Sequence, residues 1–335
     1  MSKIRTVLGD IDPAKLGHCQ THEHVLCDES LATRPELTSS TRSADKPGEA
    51  SGDLPKAMTR MILDDEKRAL EQLEAYRAVG GRALAEMTTH GWGRNPNGLA
   101  RLSERSGVHI IMSTGFYTEP YIPRFAYHRS IADLAQLIVT EIEDGVAGTG
   151  ICAGIIKSGI YAGRIEGIEL KCLRAVARAQ RETGASVTSH TTGSRRSEVP
   201  GGSLARYHLE ILVEEGANPE KFIAGHTDAV GVDIEHLSEV ASMGSYVQFD
   251  LMGKLGGIED VTRIDLILEL FDRGFGDRIL LGTDRCRKPE LYPELGGEGY
   301  NYVLGSFVQS LSGRGVDDGA IEMMTVHNPA RVLAM

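Results

Sequence analysis

The chain has 335 residues, 41% hydrophobic and 25% charged, which is ordinary globular usage and excludes a fibre or a disordered segment. Its 36 Lys+Arg against 47 Asp+Glu leave a formal charge of −11, which disfavours a phosphate backbone, so no nucleic-acid partner is expected. No run of about 18 apolar residues is present, so no membrane span is expected, and the start MSKIRTVLGD lacks the apolar stretch of a secretory signal.

In chain order, the first apolar run predicts a strand over residues 17–26. A polar, low-complexity stretch, TSSTRSADKPGEASGD, follows at 38–53 and is expected to form a long loop or lid. Residues 64–79 predict a helix, with Leu70, Leu73, Tyr76 and Val79 at helical spacing and Gly80 as its stop. Strands are predicted at 82–88 and 108–115. Ile131, Leu134, Leu137, Ile138 and Ile142 then repeat as a helix face. A strand at 151–158 precedes a helix carrying Leu170, Leu173 and Val176. A strand at 185–190 precedes a helix carrying Leu204, Tyr207, Ile211 and Leu212. Strands follow at 221–226 and 245–249. A helix with Ile264, Ile267, Leu268 and Phe271 leads to the eighth strand, 278–284. A last helix is expected near 317–325, before Pro329.

Eight short buried strands alternating with helices predict a closed (β/α)8 TIM barrel. The competitor is a doubly wound open sheet, but no G-x-G-x-x-G opens a helix after an early strand. With no linker in the sequence, one domain over residues 1–335 is expected. Five scattered cysteines, an odd number, form neither a disulfide framework nor a CxxC zinc pattern. Reduced thiols in a cytoplasmic protein are therefore expected.

Chemistry concentrates at the strand ends. In Thr21-His22-Glu23-His24 the two imidazoles sit two apart and share a strand face, a ready half-site for a divalent metal. Lys157 closes ICAGIIK, His190 closes ASVTSH, His226 closes KFIAGH and Asp284 closes ILLGTD. In a barrel these ends gather at one mouth. A lysine finishing a buried strand needs modification or a partner.

The motifs THEH, IIKSG, VTSHTTG, AGHTD and LGTD, spread from LGHCQTHEHVL to HNPARVL, resemble the phosphotriesterase-like branch of the amidohydrolase superfamily. The resemblance implies a binuclear centre in the barrel mouth. His22, His24 and Asp284 would hold the first ion, His190 and His226 the second, and a carbamylated Lys157 would bridge them. Asp284 would also handle a proton. Zinc is the expected ion, with manganese or cobalt as alternatives. The implied activity is hydrolysis by a metal-bridging hydroxide.

In lactonase members of the family a tyrosine after strand 3 lies over the metals, and Tyr117 stands there. A small lactone is therefore the expected substrate. Asp250 is followed by Leu251, so the strand-7 arginine of the acyl-homoserine lactonases is missing. Basic residues of loops 7 and 8, Lys254 and Arg287 above all, with Arg285 and Lys288 beside them, are expected to favour a phosphorylated or otherwise anionic lactone. A phosphotriester or carboxylic ester is the alternative substrate, and an inactive metal-bound binding protein is the alternative of another class. Family members are often dimers, so a homodimer is admitted, although no interface stripe stands out. Trp92 is a candidate pocket wall, Glu86 a candidate support for the ligands or half of a structural ion pair, Cys27 a packing residue and His18 a buried hydrogen-bonded histidine.

Overall fold

The structure is a computed structural model and describes residues 2–30, 61–119, 121–160, 165–191, 203–229, 231–254 and 257–335. The polar stretch 38–53 lies outside the described residues. Eight strands form one sheet in sequential order, every hydrogen-bonded pair parallel. They are β1 (Cys19–Glu23), β2 (Ala83–Glu86), β3 (His109–Phe116), β4 (Ile155–Gly159), β5 (Val187–His190), β6 (Phe222–Ala224), β7 (Tyr246–Phe249) and β8 (Ile279–Leu281). The amide of Asp284 donates to the His22 carbonyl at 2.9 Å, which ties the end of β8 back to β1 and brings the barrel round on itself. All eight predicted strands are present.

Seven helices follow the first seven strands on the outside: α1 (Glu66–Ala78), α2 (Pro96–Ser106), α3 (Ile131–Glu143), α4 (Gly167–Thr183), α5 (Leu204–Glu214), α6 (Ile234–Ser242) and α7 (Asp260–Asp272). Five of these seven starts carry a side-chain cap. Asp65 accepts from the amides of Lys67 and Arg68, and Ser130 and Asp133 form a reciprocal capping box. The helical end of the chain runs further than the sequence suggests. Pro329 does not stop it: it lies in Asn328–Leu333, directly after the π-helical stretch Met323–His327 that continues Asp318–Glu322.

Strand alternation sorts the core into two layers. Leu84, Ile110, Met112, Ile156, Phe222, Ala224, Ile279 and Leu281 pack outward among helix residues such as Leu73, Leu99 and Ile267. Ala83, Ala85, Ile111, Ile155, Ile223, Tyr246 and Leu280 point inward and meet Val332 and Leu333 of the last helix, which fills the barrel floor. Among the described residues no helix is long and apolar enough to cross a membrane.

Candidate metal centre

Continuing the inward alternation upward places chemistry in the mouth: Ile155 leads to Lys157, Tyr246 to Gln248 and Asp250, Ile111 to Ser113, Gly115 and Tyr117. On β1 the register against β2 shifts between Gln20 and Glu23, so both Thr21 and His22 reach Gln248. His226 and Asp284 lie just past their strands rather than on them. Both have left-handed backbones, with φ of 57° and 47°, so the expected strands 221–226 and 278–284 end short, at Ala224 and Leu281. Such conformations cost non-glycine residues of order 1–3 kcal/mol each and need outside support. The His226 amide has it from Asp250 Oδ1 at 3.0 Å, and the Asp284 amide from the His22 carbonyl.

The six expected ligands converge. His22 Nε2 lies 3.1 Å from Lys157 Nζ and 3.5 Å from Asp284 Oδ1, and His24 Nε2 lies 3.3 Å from the same oxygen. His226 Nε2 lies 2.6 Å from His190 Nδ1. Ligand atoms of His22, His24 and Asp284 all fall within 4.8 Å of one another, and so do those of His22, His226 and Asp250. Asp250, however, stands behind the rings. Its two oxygens take Nδ1 of His22 at 2.7 Å and Nδ1 of His226 at 2.8 Å, leaving both Nε2 atoms to face the mouth. His24 Nδ1 is likewise engaged, by Thr88 Oγ1 at 2.8 Å.

Burial drives the imidazoles of His22, His24 and His190 neutral. His22 is pushed down to about 3 and His24 to about 4, and burial with the neighbouring His226 holds His190 well below the usual histidine range. Burial also lowers the Lys157 amine to about 8. Burial opposes ionisation of Asp284, but Lys254 and the histidines keep its carboxyl well below the usual range. Neutral imidazoles with lone pairs turned inward, a carboxylate and an amine that can shed its proton form a nitrogen and oxygen donor set that suits divalent ions. Glu23 points away from this set. It accepts from the Thr283 and Arg285 amides at 2.7 and 3.0 Å and so clamps both sides of Asp284.

On the substrate side, the Tyr117 hydroxyl lies 3.2 Å from His190 Nε2. Its ring stacks on Trp92 at 5.4 Å, and Trp92 sits edge-on to His24 at 4.6 Å. Trp92 is therefore a wall of the mouth. The basic rim differs from expectation. Lys254 Nζ is buried against Asp284 Oδ2 at 2.9 Å and Glu290 at 3.5 Å, so its charge is already matched. Arg285 is buried and spends its guanidinium on the carbonyls of Met252 and Gly299. Arg287 is half exposed, 4.0 Å from Glu290. The structure brings Lys254 to the reacting centre but leaves only Arg287 of these three at the surface. Cys27 is buried in packing, as expected; His18 bonds Thr325 as expected but is only half-buried. Asp250, Gln248 and Thr88 were not singled out from sequence. For Asp250 and Gln248 the signal was the two-residue period of β7.

The phosphotriesterase family profile matches residues 2–333. Human N-acetyltaurine hydrolase is 31% identical across 99% of this chain and 97% of its own length. A resiniferatoxin-binding protein from Rhodobacter sphaeroides superposes with a TM-score of 0.85 at 31% identity, covering 99% of this chain and 94% of that one. A lactonase from Listeria monocytogenes superposes with a TM-score of 0.82 at 28% identity, covering 99% and 98%.

Proposed function

The chain belongs to the phosphotriesterase family and is a hydrolase, and from that premise we propose that it opens small lactones at a binuclear metal centre. One observation carries the choice of lactone: the Tyr117 hydroxyl stands 3.2 Å from His190 while its ring stacks on Trp92. A flat ring laid on that wall has its carbonyl beside the metal-binding histidines.

His22, His24 and Asp284 would hold one ion and His190 and His226 the other, with Lys157 between them as a carbamate. Bound ions would supply Lewis-acid polarisation of the scissile carbonyl and a strongly acidified water. The rest falls to the chain. The Lys157 amine, lowered to about 8, is neutral often enough to add carbon dioxide with loss of a proton. Asp284 takes the proton of the attacking water and returns it to the departing ring oxygen. Lys254 holds Asp284 Oδ2, which leaves Oδ1 facing the histidines. Tyr117 and Trp92 orient the ring and exclude bulk water. Zinc is the ion these histidine-rich donors favour.

A second substrate class, an N-acyl amide of an acidic amine, is favoured by the 31% identity to human N-acetyltaurine hydrolase over nearly both chains. Arg287 at the rim would meet the acid. The test compares kcat/KM for γ-lactones with and without a phosphate, N-acetyltaurine and an aryl phosphotriester, on protein carrying a measured two ions. Lactones should lead, and chelation should abolish turnover. If N-acetyltaurine leads, the amide replaces the lactone. If the metal-loaded protein turns over nothing, a binding role takes the place of both.

A further inference from the structure

His22, His24 and His226 each turn Nδ1 toward a side chain behind the ring, but not toward the same one. His22 and His226 use the Asp250 carboxylate. His24 uses a neutral hydroxyl, Thr88 Oγ1, at 2.8 Å. A hydroxyl can donate or accept, so by itself it does not determine which ring nitrogen of His24 carries the proton. The next residue removes that freedom. Thr88 Oγ1 is 2.5 Å from Glu86 Oε1, and that carboxylate already collects the amides of Val25 and Thr88, each at 3.2 Å. Three donors converge on Glu86, so the Thr88 hydrogen is committed to it. Its lone pair then accepts from His24 Nδ1–H, and the Nε2 lone pair is left facing Asp284. Glu86 and Thr88 are both fully buried, so water does not compete.

We propose that Glu86 and Thr88 form a positioning relay that fixes the tautomer and ring angle of His24 and thereby sets the affinity of one of the two ion sites. The proposal rests on the metal-centre assignment above. Neither residue reaches substrate, so they act through His24 alone. The hydroxyl, rather than the bulk of Thr88, is what the relay requires. Thr88→Val keeps the shape and deletes the hydroxyl, whereas Thr88→Ser keeps the hydroxyl and deletes a methyl.

The experiment reads metal directly. Wild type, Thr88→Val and Thr88→Ser are stripped, titrated with zinc against a chromophoric chelator, and analysed for bound metal after dialysis. Long-range 15N correlation spectra of the metal-free proteins report the His24 tautomer. Thr88→Val should weaken one ion by about 10–100-fold, as outer partners of metal ligands typically do, while the second ion is kept. Its His24 should show a mixture of tautomers. Thr88→Ser should match wild type in both. Two results would overturn the relay: Thr88→Val binding both ions as tightly as wild type, or Thr88→Ser losing as much as Thr88→Val, which would make the residue mere packing. A wild type that binds no divalent ion would instead sink the metal centre itself, so the two failures are distinguishable.

Discussion

Asp250 accepts from Nδ1 of His22 on one oxygen and of His226 on the other, so one carboxylate aims ligands assigned to both ions. In Asp250→Asn one of those oxygens becomes an amide NH2, a donor that cannot accept an Nδ1–H. Affinity for at least one ion should fall by about 10–100-fold, measured by metal content after dialysis. Lys157→Ala should remove most turnover, and added acetate or propionate with metal should return part of it, because a small carboxylate can stand in for the carbamate. Full activity without the additive would rule out the bridge. At this scale the sequence was informative where a residue type is rare in its setting. Two histidines on one strand and a lysine inside a buried run are unusual enough to stand out. Asp250 was not, because an aspartate after a strand is commonplace and its role depends on two rings brought from 24 and 228 residues away. Lys254 was legible as basic but not as the partner of Asp284, since that contact needs loops 7 and 8 folded together.

Elements place these residues through backbone choices that side chains then lock. Gly115 on β3 has φ of 95°, and a Cβ there would fall 2.2 Å from the Lys157 carbonyl. Gly115→Ala should therefore destabilise the protein by more than about 1–3 kcal/mol, read by urea denaturation, and displace β4 where it carries Lys157. Strand positions were readable from apolar runs, because a barrel strand is buried on both faces. The strand ends were not, since the left-handed turns at His226 and Asp284 are held by hydrogen bonds that their amides donate to Asp250 and to the His22 carbonyl, which no local pattern encodes. The N-terminal hairpin, Ile4–Thr6 with Gly9–Ile11, offers a pH test. A hydrogen bond from Arg5 holds the Asp10 carboxyl down at about 2, against an ordinary 3.8. A lowered carboxyl stabilises fully above the unfolded value and loses that contribution as pH falls through the folded one. The Tm difference between wild type and Asp10→Asn should thus be present above about pH 4 and vanish toward pH 2. It should be small, because the pair is largely exposed.

For the whole molecule, the proposed ligands come from five different strand ends, so ions held by them would bind the folded barrel and not the open chain. At free metal 100 times the dissociation constant, one ion should add about 2.7 kcal/mol of stability, so chelation should lower Tm and two equivalents of metal should restore it. The barrel itself was the most legible feature, because eight repeats of one alternation leave few other topologies. The charge matching inside its mouth was the least legible. The aromatic wall has a practical consequence. Trp92 is the only tryptophan in the chain, and it lies buried between the His24 imidazole and the Tyr117 ring. The tryptophan emission of the whole chain therefore originates at one spot, beside the His24 imidazole and the Tyr117 ring. Excited at 295 nm or thereabouts, the untouched protein should act as its own probe: filling the mouth should change the intensity or colour of the emission, and no label need be attached.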